Sequence, residues 1–250
     1  MSRRNTQARR RQILELLQQE GEVTVDILAQ QFETSEVTIR KDLTELEANG
    51  LLLRKYGGAI PIPKELAEEN TPISPTKNTI AEKAAELIKD HYRIILDSGS
   101  TTAAMLPLLQ KKQGLIVMTN SLDIANALRE LENEPTILMT GGTWDTRSES
   151  FQGKLAEHVL QQYDFDQLFI GADGIDIQRG TTTFNELYSL SQTMAQVSRE
   201  VIVMAESSKI ERKIHNVELD WSKIDYLVTD ENIPAHAVQH IEQHQVKVIY

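Results

Sequence analysis

The 250-residue chain contains no cysteine. That absence excludes disulfides, thiolate zinc sites, iron–sulfur ligation and a cysteine nucleophile together, and it agrees with a reducing compartment. Long apolar runs are missing as well, since none approaches the roughly 20 residues that span a bilayer. The opening MSRRNTQARRRQ is too polar to hold a signal-peptide core. A cytoplasmic chain with no membrane association is expected.

Positive charge is also in short supply, with 26 Lys and Arg against 37 Asp and Glu and a formal net charge of −11. The deficit is unevenly placed. Residues 1–57 hold nine basic and nine acidic residues, with five arginines and no acid in the first eleven positions, so the whole −11 falls in residues 58–250. Such asymmetry points either to nucleic-acid contact by the neutral part or to a solvated basic tail, and charge alone does not choose.

Hydrophobic periodicity divides the chain further. Ile13, Leu14 and Leu17 recur on one face of a helix predicted from about Gln7 to Gln19 and ended by Gly21. A short helix with Leu28 and Phe32 inward follows, then a turn at Glu33-Thr34. A third helix starts near Ser35, an N-cap by type, and places Ile39, Leu43 and Leu46 at i, i+4 and i+7. The pieces 51–54 and 56–60 read as a β-hairpin wing. Residues 61–78 hold four of the seven prolines among charged and polar residues, the composition of a linker. Beyond it, apolar runs of strand length at 93–97, 115–119, 136–140, 167–171, 201–205, 225–229 and 246–250 alternate mostly with helical segments such as TTAAMLPLLQK and NELYSLSQTMAQVSRE. This pattern predicts an open, mostly parallel α/β sheet covered on both faces rather than an eight-unit barrel. The expected plan is a winged helix-turn-helix over 1–60, a linker over 61–78 and an α/β domain over 79–250.

In a helix-turn-helix the second helix lies in the major groove with its early residues at the base edges. With Ile39, Leu43 and Leu46 inward, Ser35, Val37, Thr38, Arg40 and Lys41 occupy the exposed early turns, and these types suit base edges, a thymine methyl and phosphate. An ordinary helical hairpin with a solvated polar face satisfies the same periodicity.

The α/β part carries small and hydroxylated residues where its strands end. Asp97-Ser98-Gly99-Ser100-Thr101-Thr102 is a strand, loop, helix sequence in which glycine permits backbone approach, hydroxyls donate and the next helix points amides at an anion. It is neither GxGxxG nor GxxxxGKS/T, so no nucleotide is indicated, and a turn that merely caps a helix fits as well. Similar loops recur at Thr119-Asn120-Ser121, Thr140-Gly141-Gly142-Thr143, Gly171–Asp176 and Ser207-Ser208-Lys209. Ligands of open α/β sheets bind beyond the carboxyl ends of the strands, so several such loops converging there would form one crevice, with Lys209 as cation for a phosphate or carboxylate.

Two sets of residues carry a resemblance. Arg9-x3-Ile13-x3-Leu17, with Ser35-Glu-Val-Thr38-Ile39-Arg40-Lys41-Asp42-Leu43 and RKYGGAI (54–60), resembles the N-terminal signature and wing of the DeoR family of bacterial transcriptional regulators. LDSGSTT (96–102), MTNS (118–121), MTGGT (139–143), FIGADGID (169–176), TFNE (183–186) and SSK (207–209) resemble the same family's sensor domain, and more distantly the sugar-phosphate isomerase fold of ribose-5-phosphate isomerase. The resemblance implies a repressor of a sugar or sugar-alcohol catabolic operon, with a likeness toward repressors of glucitol and amino-sugar operons. Ser35, Thr38, Arg40 and Lys41, with Val37 beside them, would contact operator DNA, and Arg54, Lys55 and Tyr56 its backbone or minor groove. A phosphorylated sugar or sugar alcohol would bind Asp97, Gly99, Ser100, Thr101, Thr102, Asn120, Gly141, Gly142, Asp173, Gly174 and Lys209. A homo-oligomer, dimer or tetramer, is expected because one helix-turn-helix covers only a few base pairs.

The rival is an isomerase-like enzyme with a DNA-binding head, using Asp173, Asp176, Glu186 and Lys209 as acid, base and electrostatic partner. Gly174 stands where an isomerase would offer a second carboxylate beside Asp173, which favours a regulator over an enzyme. His236, His240 and His244 fall at i, i+4 and i+8, a spacing that can bind metal but reads here as a solvated face. Trp144 and Trp221 signal packing. No metal and no cofactor are expected.

Overall fold

The computed structural model describes residues 9–10, 12–14, 16–17, 20–48, 52–55, 57–61, 74–146, 148–183, 188–212, 214 and 216–250. They divide into two compact units, Met1–Asn70 and Thr71–Tyr250.

In the first unit the described residues between 9 and 20 are helical and bury Ile13 and Leu17. Strand β1 (Val23–Thr24) leads into α1 (Val25–Gln31), a turn in which Glu33 takes a left-handed φ of 47°, and α2 (Glu36–Ala48). Strands β2 (Leu53–Lys55) and β3 (Gly58–Ile60) form an antiparallel hairpin, and β3 also pairs with β1. Ile39, Leu43 and Leu46 on α2 pack with Leu28, Val25, Leu52 and Ala59 into one small core. Gly58 is required where β3 crosses β1, because a Cβ there would lie 2.2 Å from the Val23 carbonyl oxygen.

The second unit is built on a seven-stranded sheet. Its strands are β4 (Arg93–Leu96), β5 (Ile116–Thr119), β6 (Thr136–Met139), β9 (Phe165–Ile170), β12 (Ser198–Met204), β14 (Tyr226–Val228) and β15 (Lys247–Ile249), in the order β15-β14-β12-β9-β4-β5-β6. Every pairing within it is parallel. All seven apolar runs of the sequence are strands of this one sheet. Alternate side chains enter opposite cores: Ile94, Leu96, Val117, Phe169, Ile202 and Val228 on one face, Ile95, Met118, Leu168, Val203 and Leu227 on the other. Helices α3 (Pro75–Glu86) and α6 (Leu122–Arg129) and the short turns α4 (Ser100–Ala103) and α5 (Leu106–Leu109) cover the first face. Helices α7 (Lys154–Leu160), α8 (Ser189–Gln196) and α9 (Ala235–Gln243) cover the second.

From β4 the chain winds outward through β5 and β6, then returns to β9 on the other side of β4 and winds the opposite way through β12, β14 and β15. The order reverses between β4 and β9, and the crevice beyond their carboxyl ends is where open α/β sheets hold ligands.

Several local expectations are corrected. TTAAMLPLLQK forms two single turns, α4 and α5, rather than one helix, with Pro107 near the start of the second. Residues 198–200, expected as the end of a helix, open strand β12, because Ser198 and Glu200 pair with Phe165 and Gln167 of β9. Residues 75–78, assigned to the linker, are the first turn of α3, capped by the Ser74 hydroxyl accepting from the Lys77 amide at 3.1 Å. Two small antiparallel units were not anticipated: the hairpin β7 (Thr143–Asp145) with β8 (Ser150–Gln152), and the sheet of β10 (Gly174–Asp176), β11 (Gly180–Thr183) and β13 (Asn216–Asp220).

Candidate functional sites

In the first unit, the Ser35 hydroxyl accepts from the Thr38 amide at 3.2 Å and lies 2.9 Å from the Thr38 hydroxyl, which fixes the start of α2. Val37 is 63% exposed, a large apolar side chain held in solvent on the helix face opposite Ile39 and Leu43. Arg40 pairs with Glu36 one turn back at 2.9 Å with both side chains about half exposed, a weak surface pair that leaves the guanidinium free to exchange partners. Lys41 is exposed. On the wing Arg54 donates to the Thr44 hydroxyl at 2.9 Å, tying the hairpin to α2, and Lys55 pairs with Glu22. Tyr56 lies outside the described residues.

The arginine-rich leader needs a partial correction. Arg9 and Arg10 donate to the two oxygens of Asp42 at 2.6 and 2.9 Å, and the Asp42 side chain is only 3% exposed. These two arginines hold α2 in place. Arg3, Arg4 and Arg11 lie outside the described residues.

In the second unit the loops after β4, β5, β9 and β12 meet at the switch point. The Asp97 amide donates to the Phe169 carbonyl at 3.0 Å, so the β4 and β9 loops leave the sheet side by side. Buried Asn120 then joins β5 to β4: its amide nitrogen donates to Asp97 Oδ1 at 2.8 Å and its oxygen accepts from the Ser98 amide at 2.9 Å. Lys209 sits in a single turn over 207–209 whose start is fixed by Asp230, which accepts from the Ser207 amide at 2.6 Å and hydroxyl at 2.7 Å. From there the Lys209 ammonium reaches the Ala172 carbonyl at 2.6 Å, bridging the β12 and β9 loops. Asp173 accepts from the Thr183 hydroxyl at 2.8 Å.

Charge in this crevice is crowded. Burial pushes the Asp97 carboxyl up to about 6, against the opposing hydrogen bonds from Asn120 and Ser98, and Asp173 nearby adds to the rise. Burial also lowers Lys209, while Asp173 supports its charge and the neighbouring Lys77 and Arg212 oppose it. Among the described residues no carboxylate lies within ion-pair distance of the Lys209 ammonium, although both signs of charge are close by.

The remaining expected effector residues take other places. Gly99 has a φ of 130°, which allows the turn into α4. Thr101 and Thr102 are buried, and the Thr102 hydroxyl reaches the Asp97 and Gly99 carbonyls at 2.8 Å each, so it shapes the loop from within. The expected run of helix amides is shortened, because α4 is a single turn. Gly141 and Gly142 follow edge strand β6, two strands from β4 or about 10 Å away at the usual strand spacing. The close approach of the Gln152 carbonyl explains Gly142, since a Cβ would lie 2.5 Å from it. Gly174 likewise packs under the Arg212 carbonyl, 2.4 Å from where a Cβ would stand.

Asp176, assigned with Asp173 to the rival enzyme, is buried and held by Arg179 at 2.6 Å and the Gln178 amide at 3.0 Å. Glu186 lies outside the described residues. The three histidines are all exposed, as a solvated face requires; His236 pairs with Glu211 at 3.3 Å, and the His244 ring lies against buried Trp221. No group of three or more metal-ligating side chains occurs among the described residues. Trp221 donates to the Ile177 carbonyl at 3.0 Å, and Trp144, 41% exposed, packs edge-on against Phe151 across the β7–β8 hairpin with ring centroids 5.4 Å apart.

Two crevice groups escaped the sequence reading. Lys77, 7% exposed on the first turn of α3, donates to the Ser100 hydroxyl at 2.9 Å. Its signal was present, because Ser74-Pro75 is an N-cap followed by proline at the first helical position. Glu218 on β13 accepts from the Ser191 hydroxyl at 2.7 Å, and burial, with Asp97 and Asp173 adding, pushes its carboxyl up to about 8. The alternation Asn216-Val217-Glu218-Leu219-Asp220 suits a half-buried strand, but nothing in it marks Glu218 as a crevice group.

The sequence of residues 9–65 matches the DeoR-like helix-turn-helix domain and that of residues 74–231 the DeoR C terminal sensor domain. The chain belongs to the DeoR family. It is a DNA-binding transcriptional regulator with a small-molecule sensor domain, not an enzyme. Its relatives include a protein of Escherichia coli O157:H7 named "Putative aga operon transcriptional repressor", 40% identical over 98% of this chain and 93% of that one. The HTH-type transcriptional regulator GlpR of Haloferax volcanii is 31% identical over 96% of both chains. The L-fucose operon activator of Haemophilus influenzae is 33% identical over 95% of this chain and 97% of its own. A solved ribose 5-phosphate isomerase of Methanocaldococcus jannaschii is a partial structural likeness, 19% identical over 55% of each chain with a TM-score of 0.40. No helix among the described residues is long and apolar enough to cross a membrane.

Proposed function

We propose that this DeoR-family chain represses a sugar or sugar-alcohol catabolic operon and is released from its operator by a phosphorylated sugar. The observation that carries the effector reading is the convergence at the β4/β9 switch point of the Lys209 ammonium, which has no ion-pair partner among the described residues, with hydroxyl and carboxylate side chains. An ammonium of this kind suits a phosphate, while Asp97, Asn120 and Asp173 offer acceptors and donors to sugar hydroxyls. The relatives named for the aga and L-fucose operons support a carbohydrate signal.

In the head, Ser35, Val37, Thr38, Arg40 and Lys41 read the operator and Arg54, Lys55 and Tyr56 hold its backbone or minor groove. At least two copies bind together, since a single helix-turn-helix contacts too few base pairs for useful affinity. The unit 79–250 supplies the oligomer contacts, and the chain works in the cytoplasm.

In a gel shift with DNA from upstream of its own operon, Arg40→Ala weakens binding by about tenfold, the loss of one good base or phosphate contact. Unaltered binding removes Arg40 from the interface. A thermal-shift panel of sugar phosphates identifies the effector by stabilisation that Lys209→Met abolishes. If no sugar phosphate stabilises the protein, the sensor reading fails.

A further inference from the structure

The edge of an open sheet offers unpaired backbone donors and acceptors, which proteins normally blunt with charge or proline, or cover. In the sensor unit the edge strands of the main sheet are β15 and β6. The β15 edge follows that rule, with Lys247 on the strand and Lys83 and Glu86 beside it. The β6 edge does not. Its residues are Thr136, Ile137, Leu138 and Met139, and the run from 135 to 144 holds no charged residue. The Thr136 and Thr140 amides donate toward β5, to the Leu115 and Thr119 carbonyls at 2.9 and 3.1 Å, so the alternate amides, of Ile137 and Met139, point away from the sheet. Among the described residues no strand pairs with that side. The chain leaves β6 for the β7–β8 hairpin, where Trp144 stands exposed against Phe151. Among the described residues of this unit the exposed large apolar side chains are Leu122, Trp144, Leu155 and Tyr250, and all but Tyr250 lie on or beside this hairpin. Leu122 is two residues beyond Asn120, whose carbonyl accepts from the Phe151 amide at 2.8 Å, and Leu155 opens α7 just after β8. An exposed tryptophan among apolar neighbours is the composition of a protein contact rather than of a solvated surface.

Charge identifies the partner. Residues 58–250 carry the chain's whole −11, so two sensor units repel and meet most favourably where charge is least, which is β6. The rim holds both signs, exposed Asp123 and Glu149 against exposed Lys154, which suits a surface that meets its own copy rather than a strongly acidic or basic partner. A twofold axis through Leu138 sets two β6 strands antiparallel, with Ile137 of one copy opposite Met139 of the other, and the outward amides and carbonyls then satisfy each other reciprocally. We propose that a second copy of this chain docks on β6 and the Trp144 hairpin, joining the two sheets edge to edge. This inference gives a place to the oligomer contact and rests on the reading that at least two copies bind the operator together. The docked hairpin is bonded to the effector crevice as well, since Asn120 takes the Phe151 amide on its carbonyl and holds Asp97 with its side chain.

The test is sedimentation velocity of the full-length protein over a range of concentrations, for the wild type, Trp144→Glu, Trp144→Phe, Thr136→Lys and Tyr250→Glu, with a melting curve of each to establish folding. Trp144, Thr136 and Tyr250 are all exposed, so their replacement leaves the core alone. Trp144→Glu and Thr136→Lys are expected to weaken self-association at least tenfold, whereas Trp144→Phe and Tyr250→Glu, the latter at the opposite edge of the sheet, stay within a few-fold of the wild type. Hydrogen exchange over 136–139 is slow in the wild-type assembly and faster in Trp144→Glu. Wild-type association by Trp144→Glu overturns the proposal, and should that variant not fold, Thr136→Lys decides in the same way. If Tyr250→Glu separates the copies and Trp144→Glu does not, the contact lies at β15, the inference fails and the two-copy reading stands. A wild type that is monomeric at every concentration overturns the inference, and if it also binds operator DNA as a single copy, the two-copy reading falls with it.

Discussion

Glu218 shows how the crevice sets the properties of a single residue. Its carboxyl is raised from 4.5 to about 8 by burial first and by Asp97 and Asp173 after it, with the Ser191 hydroxyl opposing. Between these two values the folded protein keeps a proton that the unfolded chain has released, so the group's contribution to stability is full below pH 4.5 and is lost as pH rises toward 8. Glu218→Gln keeps the shape and removes the titration. Its melting temperature is expected to exceed that of the wild type by about 2–4 °C for each kcal/mol recovered at pH 8.5, and to match it near pH 4.5. Calorimetry at the two pH values checks this, and an equal difference at both would remove the titration from the explanation. Residue identity in the sequence carried part of this site: Asp97, Ser100, Asn120, Asp173 and Lys209 were legible because they sit in loops directly after apolar strands. Glu218 was not, because its environment is made by Ser191 from α8 and by carboxylates from two distant strands.

Among the elements, α2 has the most specific support. Its outer face carries Val37, Arg40 and Lys41, while its inner side is clamped by Arg9 and Arg10 on Asp42. Removing one partner of a buried ion pair leaves the other charge uncompensated and costs about 3–5 kcal/mol, which is comparable to the whole stability of a domain this small. Asp42→Ala is therefore expected to unfold the first unit while the second keeps its own melting transition. Loss of operator binding with the main calorimetric transition unchanged is the predicted outcome, and intact DNA binding would show that the clamp is dispensable. The α2 pattern was readable from spacing alone, since Ile39, Leu43 and Leu46 mark its buried stripe. The strand start at Ser198 was not readable, because its polar residues become a strand only through pairing with β9.

For the whole molecule, the proposed repressor couples two ligands, and the coupling must be reciprocal: whatever factor the phosphorylated effector takes from operator affinity, the operator takes from effector affinity. Titrating the identified effector with and without saturating operator tests this, and equal affinities in both would exclude any linkage between the two units. Free effector at about 100 times its dissociation constant should also stabilise the sensor unit by about 2.7 kcal/mol. The sequence by itself determined the two-part plan, the uneven charge, the seven strands and the inward face of α2, because each is a local property written in composition or in the backbone's own period. Only the tertiary structure decided the order β15-β14-β12-β9-β4-β5-β6, the switch point it creates, and the meeting of Lys77 with Ser100 and of Lys209 with Ala172. Those depend on which strands pair across long stretches of chain, and pairing is governed by the packing of two cores at once rather than by any local pattern.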